Sequence, residues 1–303
     1  MVRQGIKRKK VQDAITGWAF VSPIMIGMLL FLAFPLTFAF IISFSNYSLG
    51  TGFEASNFAF IGFTNYISAF HDEYFMQGMI NILITCIGVP IGLVIALLLS
   101  SLLVSNPRFS IVFKSIYYVP TICGAVAITF IWSWMFSPMY GIINTMLTDM
   151  GLETVNFLGK DLFLPSMITI GIWSSLGTSI LLLFASLKGI SKSLYEAANI
   201  DGANFIQKFF HITLPAVSPT VFYILVTGIA GTFQEFTLFQ VMRGGVVTMW
   251  SITPAWWIYN YASGGYGFNL GYASAMGVIL GLFILIISAI QFIVSRLWVH
   301  YDS

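Results

Sequence analysis

Apolar residues run almost unbroken through six long stretches of this chain, near residues 18–45, 77–104, 111–136, 164–187, 219–242 and 269–298, each closed by charges or turn residues. A bilayer core takes about 20 apolar residues per helix, so each stretch is long enough to cross one. Period-two alternation is absent, which argues against a barrel. In lipid, an α-helical bundle is then the remaining way to satisfy every backbone N–H and C=O. The pattern predicts an all-α membrane protein of six transmembrane helices. It reads as a basic N-terminus at 1–17, a six-span domain at 18–298 with a polar segment at 188–218, and a short tail at 299–303.

Composition sharpens this picture. Hydrophobic residues make up 58% and charged residues 8%, with a mean hydropathy of +0.90, far too little polar surface for a soluble domain. Arg3, Lys7, Arg8, Lys9 and Lys10 precede the first span as they would a signal peptide. The apolar run is too long for such a segment and shows no small-residue cleavage site, so it is expected to stay as an anchor. The same basic residues set an orientation. With the N-terminus in the cytoplasm, they join Arg108, Lys114, Lys188, Lys192, Lys208 and Arg296 on the inner side and leave Lys160 and Arg243 outside. Both ends then face the cytoplasm, as does the 188–218 segment, while 46–76, 137–163 and 243–268 form outer loops.

Catalytic chemistry finds few candidates. Cys86 and Cys123 fall within spans and read as buried small apolar residues rather than a disulfide. His71, His211 and His300 are scattered without metal-ligand spacing. No phosphate-binding Gly-x-x-x-x-Gly-Lys-Ser/Thr loop and no nucleophile elbow occurs. An ATP-driven process would need its ATP bound on another subunit.

The polar 188–218 segment carries the most information. Ser191 is placed to cap a short helix bearing Leu194, Tyr195, Glu196, Ala197 and Ala198. Asp201-Gly202 supplies a turn, and Asp201 is placed to cap a second helix from Ala203. Phe205, Phe209 and Ile212 recur at helical spacing, a stripe expected against the membrane helices, and Pro215 and Pro219 are expected to stop this helix before the fifth span. Small residues at Ala197 and Ala198 permit close approach of another surface, and Glu196 offers it a charge.

The spacing narrows the reading. Glu196-Ala197-Ala198, three residues, Gly202, nine residues, then Ile212-x-Leu214-Pro215 resembles in full the EAA signature of binding-protein-dependent ABC importer permeases. The resemblance extends along nearly the whole chain and is closer to the carbohydrate-uptake permeases of the maltose and glycerol-3-phosphate type. It includes Ser22-Pro23, Phe34-Pro35, the run Phe60 to Tyr66, Tyr118-Val119-Pro120, the stretch from Trp132 to Asn144, Asn156 to Gly159, and Gly271 to Ala275. It implies a type I importer-like fold in which the EAA loop is a cytoplasmic coupling helix. Glu196, Ala197, Ala198, Asp201 and Gly202 would seat in an ATPase subunit that itself binds ATP and Mg. The implied partners are a second, related permease subunit forming a heterodimer, two ATPase subunits, an external sugar-binding protein and membrane lipid, with no nucleic acid. The implied location is the cell membrane of a bacterium or archaeon.

Substrate contacts are expected on the fourth and fifth spans. Gly228, Thr232, Gln234 and Glu235 form a polar, glycine-bearing break in the fifth span, and Trp173, Ser175 and Thr178 another at the start of the fourth. An intramembrane carboxylate is costly, so Glu235 should face a wet cavity or a partner, whether a sugar or the second permease subunit. Ser175, Thr178, Gln234 and Glu235 suit sugar hydroxyls and Trp173 a ring face, while small residues at helix crossings remain the alternative for the serines and glycines. Trp250, Trp256, Trp257, Tyr259 and Tyr261 suggest an interfacial aromatic belt or a sugar platform. The scarcity of Lys and Arg in the spans favours a neutral saccharide. Two functions stand against each other: the membrane subunit of an ATP-driven sugar importer, itself no enzyme, or a lone secondary carrier using Glu235 as an ion relay. No internal repeat of the kind common in lone carriers is visible, and the EAA loop favours the importer.

Overall fold

The computed structural model describes residues 2–49, 58–105 and 116–300, and all of the long elements among them are helices. Five are long and apolar enough to cross a membrane, or six if one bent pair counts as a single span. The chain forms two compact units, Met1–Ser68 with Tyr261–Val278, and Ala69–Asn260 with Ile279–Ser303.

The first unit opens with α1 (Val2–Met28), a π turn at Leu29–Ala33 and α2 (Phe34–Ile42). Phe20 and Phe31 are among many exposed apolar side chains along this run, the surface of a helix whose solvent is lipid. The chain then turns at a short bridge between Ser45 and Phe60 into α3 (Thr64–His71). Asn65 Nδ2 holds that turn by donating to Ser43 O at 2.9 Å and Ser45 O at 2.8 Å.

The second unit carries the core. Helices α4 (Glu73–Thr85) and α5 (Gly88–Ser105) make one span. Then come α6 (Ile116–Ile122), α7 (Ala125–Met135), α8 (Ile142–Asp149) and the long α9 (Phe163–Gly189). Leu93, Ala96 and Leu97 of α5 pack on Leu176, Ile180 and Leu183 of α9. Ser100 Oγ donates to Ile180 O at 3.1 Å across the same seam. Val217, Val221 and Ile224 of a later helix complete this cluster.

The polar segment forms α10 (Lys192–Ile200), a turn, α11 (Phe205–Lys208), a π turn at Phe209–Thr213, and α12 (Leu214–Phe233). Short α13 (Thr237–Met242) and α14 (Pro254–Ala262) follow, and α15 (Leu270–Ser295) is the last span.

Several expectations need correction. The third span is no single rod: α6 and α7 meet at 117°. Gly124 is extended (φ −62°, ψ 140°), so the helix cannot run on through it. The start of that span at 111–115, with Arg108 and Lys114, lies outside the described residues, as do the side chains of Arg3 and Lys7 to Lys10. Cys123 sits at this break and is exposed rather than buried.

The fifth span runs over Phe205–Phe233 instead of 219–242. Pro215 and Pro219 do not stop it. The π turn precedes Pro215, and Ser218 Oγ donates at 2.6 Å to Pro215 O, the carbonyl that Pro219 has no N–H to serve. Asn204, not Asp201, caps the second helix of the polar segment, through a reciprocal box in which Asn204 Oδ1 accepts from Gln207 N at 2.9 Å and Gln207 Oε1 from Asn204 N at 2.8 Å. Ser191 occupies the N-cap of α10 without a capping bond from its side chain, its Oγ lying instead 2.7 Å from Ser193 Oγ.

Of the aromatic cluster, two tryptophans face inward rather than toward lipid or a ligand. Trp256 and Trp257 are buried. Trp257 Nε1 donates to Asp72 Oδ2 at 2.8 Å, and Trp250 lies beneath the Arg243 guanidinium, 4.3 Å from ring centroid to Cζ. Tyr259 stacks on Phe236 with centroids 5.2 Å apart, and Tyr261 on Tyr266 at the same separation.

Candidate functional site

Two sites emerge in the second unit, a cavity in the helix bundle and an exposed loop. The cavity has a volume of about 520 Å³ and is walled by parts of α4, α5, α7, α9, α12 and α13. That volume suits a small ligand or part of a larger one. Of the residues expected on a substrate path, Ser175, Thr178, Gly228, Thr232 and Glu235 line it. Trp173 and Gln234 do not. Trp173 packs edge-on against Trp132 at 5.5 Å, and Gln234 Nε2 turns back to donate to Ala230 O at 3.0 Å. Gly228 serves packing as well as the cavity, since a Cβ there would come within 2.8 Å of Val89 Cγ1.

Glu235 is not inside the fifth helix. That helix ends at Phe233, and Glu235 lies in the break before α13, where its Oε1 accepts from Leu238 N at 2.9 Å. Its backbone oxygen accepts from Thr253 Oγ1 at 3.1 Å. The carboxylate is therefore held at one wall by the start of α13, half-buried, with acceptor capacity to spare.

Five of the lining hydroxyls share one property. Thr85 Oγ1 donates to Asn81 O at 2.9 Å, Thr129 to Ala125 O at 2.8 Å, Ser175 Oγ to Ile172 O at 3.0 Å, Thr227 to Tyr223 O at 2.7 Å and Thr232 to Gly228 O at 2.9 Å. Such back-bonding to the preceding turn commits each hydroxyl proton to its own helix. What these groups present to a ligand is lone pairs. No Lys, Arg or His is among the lining residues. Ser174, Thr178, Ser179 and Tyr223 add further hydroxyls and Glu235 a carboxylate, so the cavity is a mixed surface of hydrogen-bonding and apolar side chains without a cation among its lining. Reading the chain alone passes over Thr85, Thr129, Tyr223 and Thr227. A small polar residue within an apolar helix was the available signal, but it does not say which side of the helix meets a cavity.

The loop is built differently. Helix α10 carries Glu196 and Ala197 exposed and Ala198 half-exposed, and Asp201 closes it. Gly202 follows at φ +75°, a left-handed conformation that glycine adopts without steric cost. Of the expected apolar stripe Phe209 packs on the core and Ile212 is half-buried, whereas Phe205 is 79% exposed. Ile200 and Ile206 are exposed apolar side chains of the same loop.

A family model for the binding-protein-dependent transport system inner membrane component matches residues 88–299. The chain belongs to this family. The permease is 32% identical over 297 residues to the probable ABC transporter permease protein YesP of Bacillus subtilis (strain 168), covering 96% of this chain and 94% of YesP. It is 31% identical to the arabinooligosaccharides transport system permease protein AraP of the same organism, over 90% of this chain and 86% of AraP. Its fold matches a crystal structure of a bacterial ABC transporter involved in the import of the acidic polysaccharide alginate. The TM-score is 0.80 at 24% identity, covering 95% of this chain and 97% of the other. The permease is thus a transport subunit and not an enzyme.

Proposed function

We propose that this permease is one half of the translocation pathway of an ATP-driven sugar importer and that its cargo is a neutral oligosaccharide. The observation that carries the substrate class is the cavity lining: nine hydroxyls, one carboxylate and no cation. Sugar hydroxyls can both donate to and accept from such a wall, whereas a phosphate or uronate would meet Glu235 without a countercharge. AraP, by its name, handles arabinooligosaccharides, which is consistent with this chemistry.

The loop supplies the drive. Helix α10 docks into a cytoplasmic ATPase through Glu196, Ala197, Ala198, Asp201 and Gly202, with Ile200, Phe205 and Ile206 as the apolar surround. The ATPases bind ATP and Mg, a second permease subunit completes the cavity wall, and an external binding protein delivers the sugar. The N-terminus and the 188–218 loop face the cytoplasm, as the basic residues require. Family membership weighs against a lone carrier using Glu235 as an ion relay.

Co-purification of tagged wild type with its ATPase, followed by ATP hydrolysis with and without the binding protein, tests the proposal. Wild type is expected to bring down an ATPase stimulated by loaded binding protein, and Glu196→Lys to lose it. A wild-type chain that purifies alone and moves sugar without ATP would sink the importer reading.

A further inference from the structure

Helix α10 is fastened to the base of the fifth membrane helix at two points on one face. Tyr195 Oη lies 2.8 Å from Thr213 Oγ1, and one turn further along α10, Asn199 Oδ1 accepts from Lys208 Nζ. Residues four apart share a helix face, so α10 turns Tyr195 and Asn199 inward to the chain's own 208–213 segment. Lys208 and Thr213 bracket the π turn at Phe209–Thr213. The Asn199–Lys208 contact is exposed, whereas Thr213 is only 8% exposed.

Thr213 Oγ1 also stands 3.4 Å from Lys208 O, the carbonyl just before the π turn, and either hydroxyl of the Tyr195–Thr213 pair can donate to the other. The result is a chain from Tyr195 through Thr213 to the backbone of the π turn. Beyond Thr213 the helix continues through α12 to Tyr223, Thr227, Gly228, Gly231 and Thr232, all on the cavity wall. At 1.5 Å per residue, Thr227 is about 21 Å along the helix from Thr213.

We propose that the Tyr195–Thr213 hydrogen bond is the joint that carries movement of α10 into α12 and so into the cavity wall. Both are positioning residues: neither touches sugar nor ATP. The inference rests on α10 being the surface that meets the ATPase.

The test uses the complete importer in proteoliposomes and reads sugar transported per ATP hydrolysed. Tyr195→Phe and Thr213→Val keep shape and remove one hydroxyl each; Thr213→Ser keeps the hydroxyl. Each of the first two is expected to lower the ratio about fivefold, the size of one net hydrogen bond. The double variant should fall no further than either single one, and Thr213→Ser should match wild type. All should retain a stoichiometric ATPase on purification. A wild-type ratio in both single variants, a double-variant loss equal to the product of the two, or loss of the ATPase from Tyr195→Phe would each overturn the joint. Glu196→Lys run alongside separates the two claims: if it keeps its ATPase and its transport, the docking surface itself is wrong, whatever Tyr195 does.

Discussion

The polar loop at 190–213 and the cavity between α9 and α12 are both built from short polar interruptions in apolar sequence, yet they are organised in opposite ways. The loop draws its functional residues from one continuous stretch and turns them outward, with Glu196, Ala197 and Gly202 exposed. The cavity draws its lining from six helices spread between Thr85 and Phe239 and turns it inward. The surface proposed to meet an ATPase is complete within one local segment. A binding wall becomes one only when distant helices pack.

Charge is the sharpest way to separate the two. Reversal at Glu196 should lower uptake of every sugar more than about tenfold, because like charges set against each other at a docking surface cost several kcal/mol. Glu235→Lys should instead change which sugars pass, lowering neutral oligosaccharide uptake and admitting acidic ones. Uptake of a paired neutral and uronate panel into proteoliposomes distinguishes them, and a uniform loss at Glu235 would erase the distinction.

The loop's backbone offers a second contrast. Gly202→Val places a β-branched residue at φ +75°, which costs roughly 1–3 kcal/mol in strain. ATPase retained on the purified complex should fall accordingly, and Gly202→Asn, which tolerates this conformation, should retain more. Equal losses in the two variants would remove backbone conformation as the cause.

Away from both sites, Asn81 Nδ2 donates to Met249 O at 2.8 Å and Ile252 O at 2.9 Å, holding the 243–253 segment to α4. Asn81→Ala should cost about 1–3 kcal/mol by leaving buried carbonyls unpaired. A lowered thermal midpoint with an unchanged ratio of transport to ATP hydrolysis is the expected result; a changed ratio would tie this segment to coupling.

The smallest effect is one of rate. Cys123 is exposed and lines the cavity, whereas Cys86 is half-buried and absent from its lining. A polar thiol reagent should label Cys123 first, and bound sugar should slow it severalfold. Mass-spectrometric labelling at each cysteine reads this directly; faster labelling of Cys86 would put the cavity elsewhere.

Much of this architecture was legible in the residues. The first, second, fourth and sixth spans stand where the apolar runs put them, since hydrophobic length decides what a helix can cross. The motif spacing at Glu196 and Gly202, on which the docking proposal rests, is read from neighbouring residues alone. The third and fifth spans were misread for a related reason: hydropathy reports solvent preference and is blind to direction. It does not register that Gly124 turns extended or that Ser218 satisfies the carbonyl left by Pro219. Trp173 and Gln234 looked like ligands by residue type, and packing against Trp132 and Ala230 took them away.

The sequence by itself determined that this chain lives in lipid, that its backbone bonds close within helices, and that one polar loop carries the signature of its family. Each follows from composition or from contacts a few residues apart. Only the tertiary structure decided that Thr85, Thr129, Ser175, Thr227, Thr232 and Glu235 line one cavity, and that Tyr195 reaches Thr213. Those facts depend on how helices rotate and cross when their side chains pack to native density, and that rotation is set by the whole bundle at once.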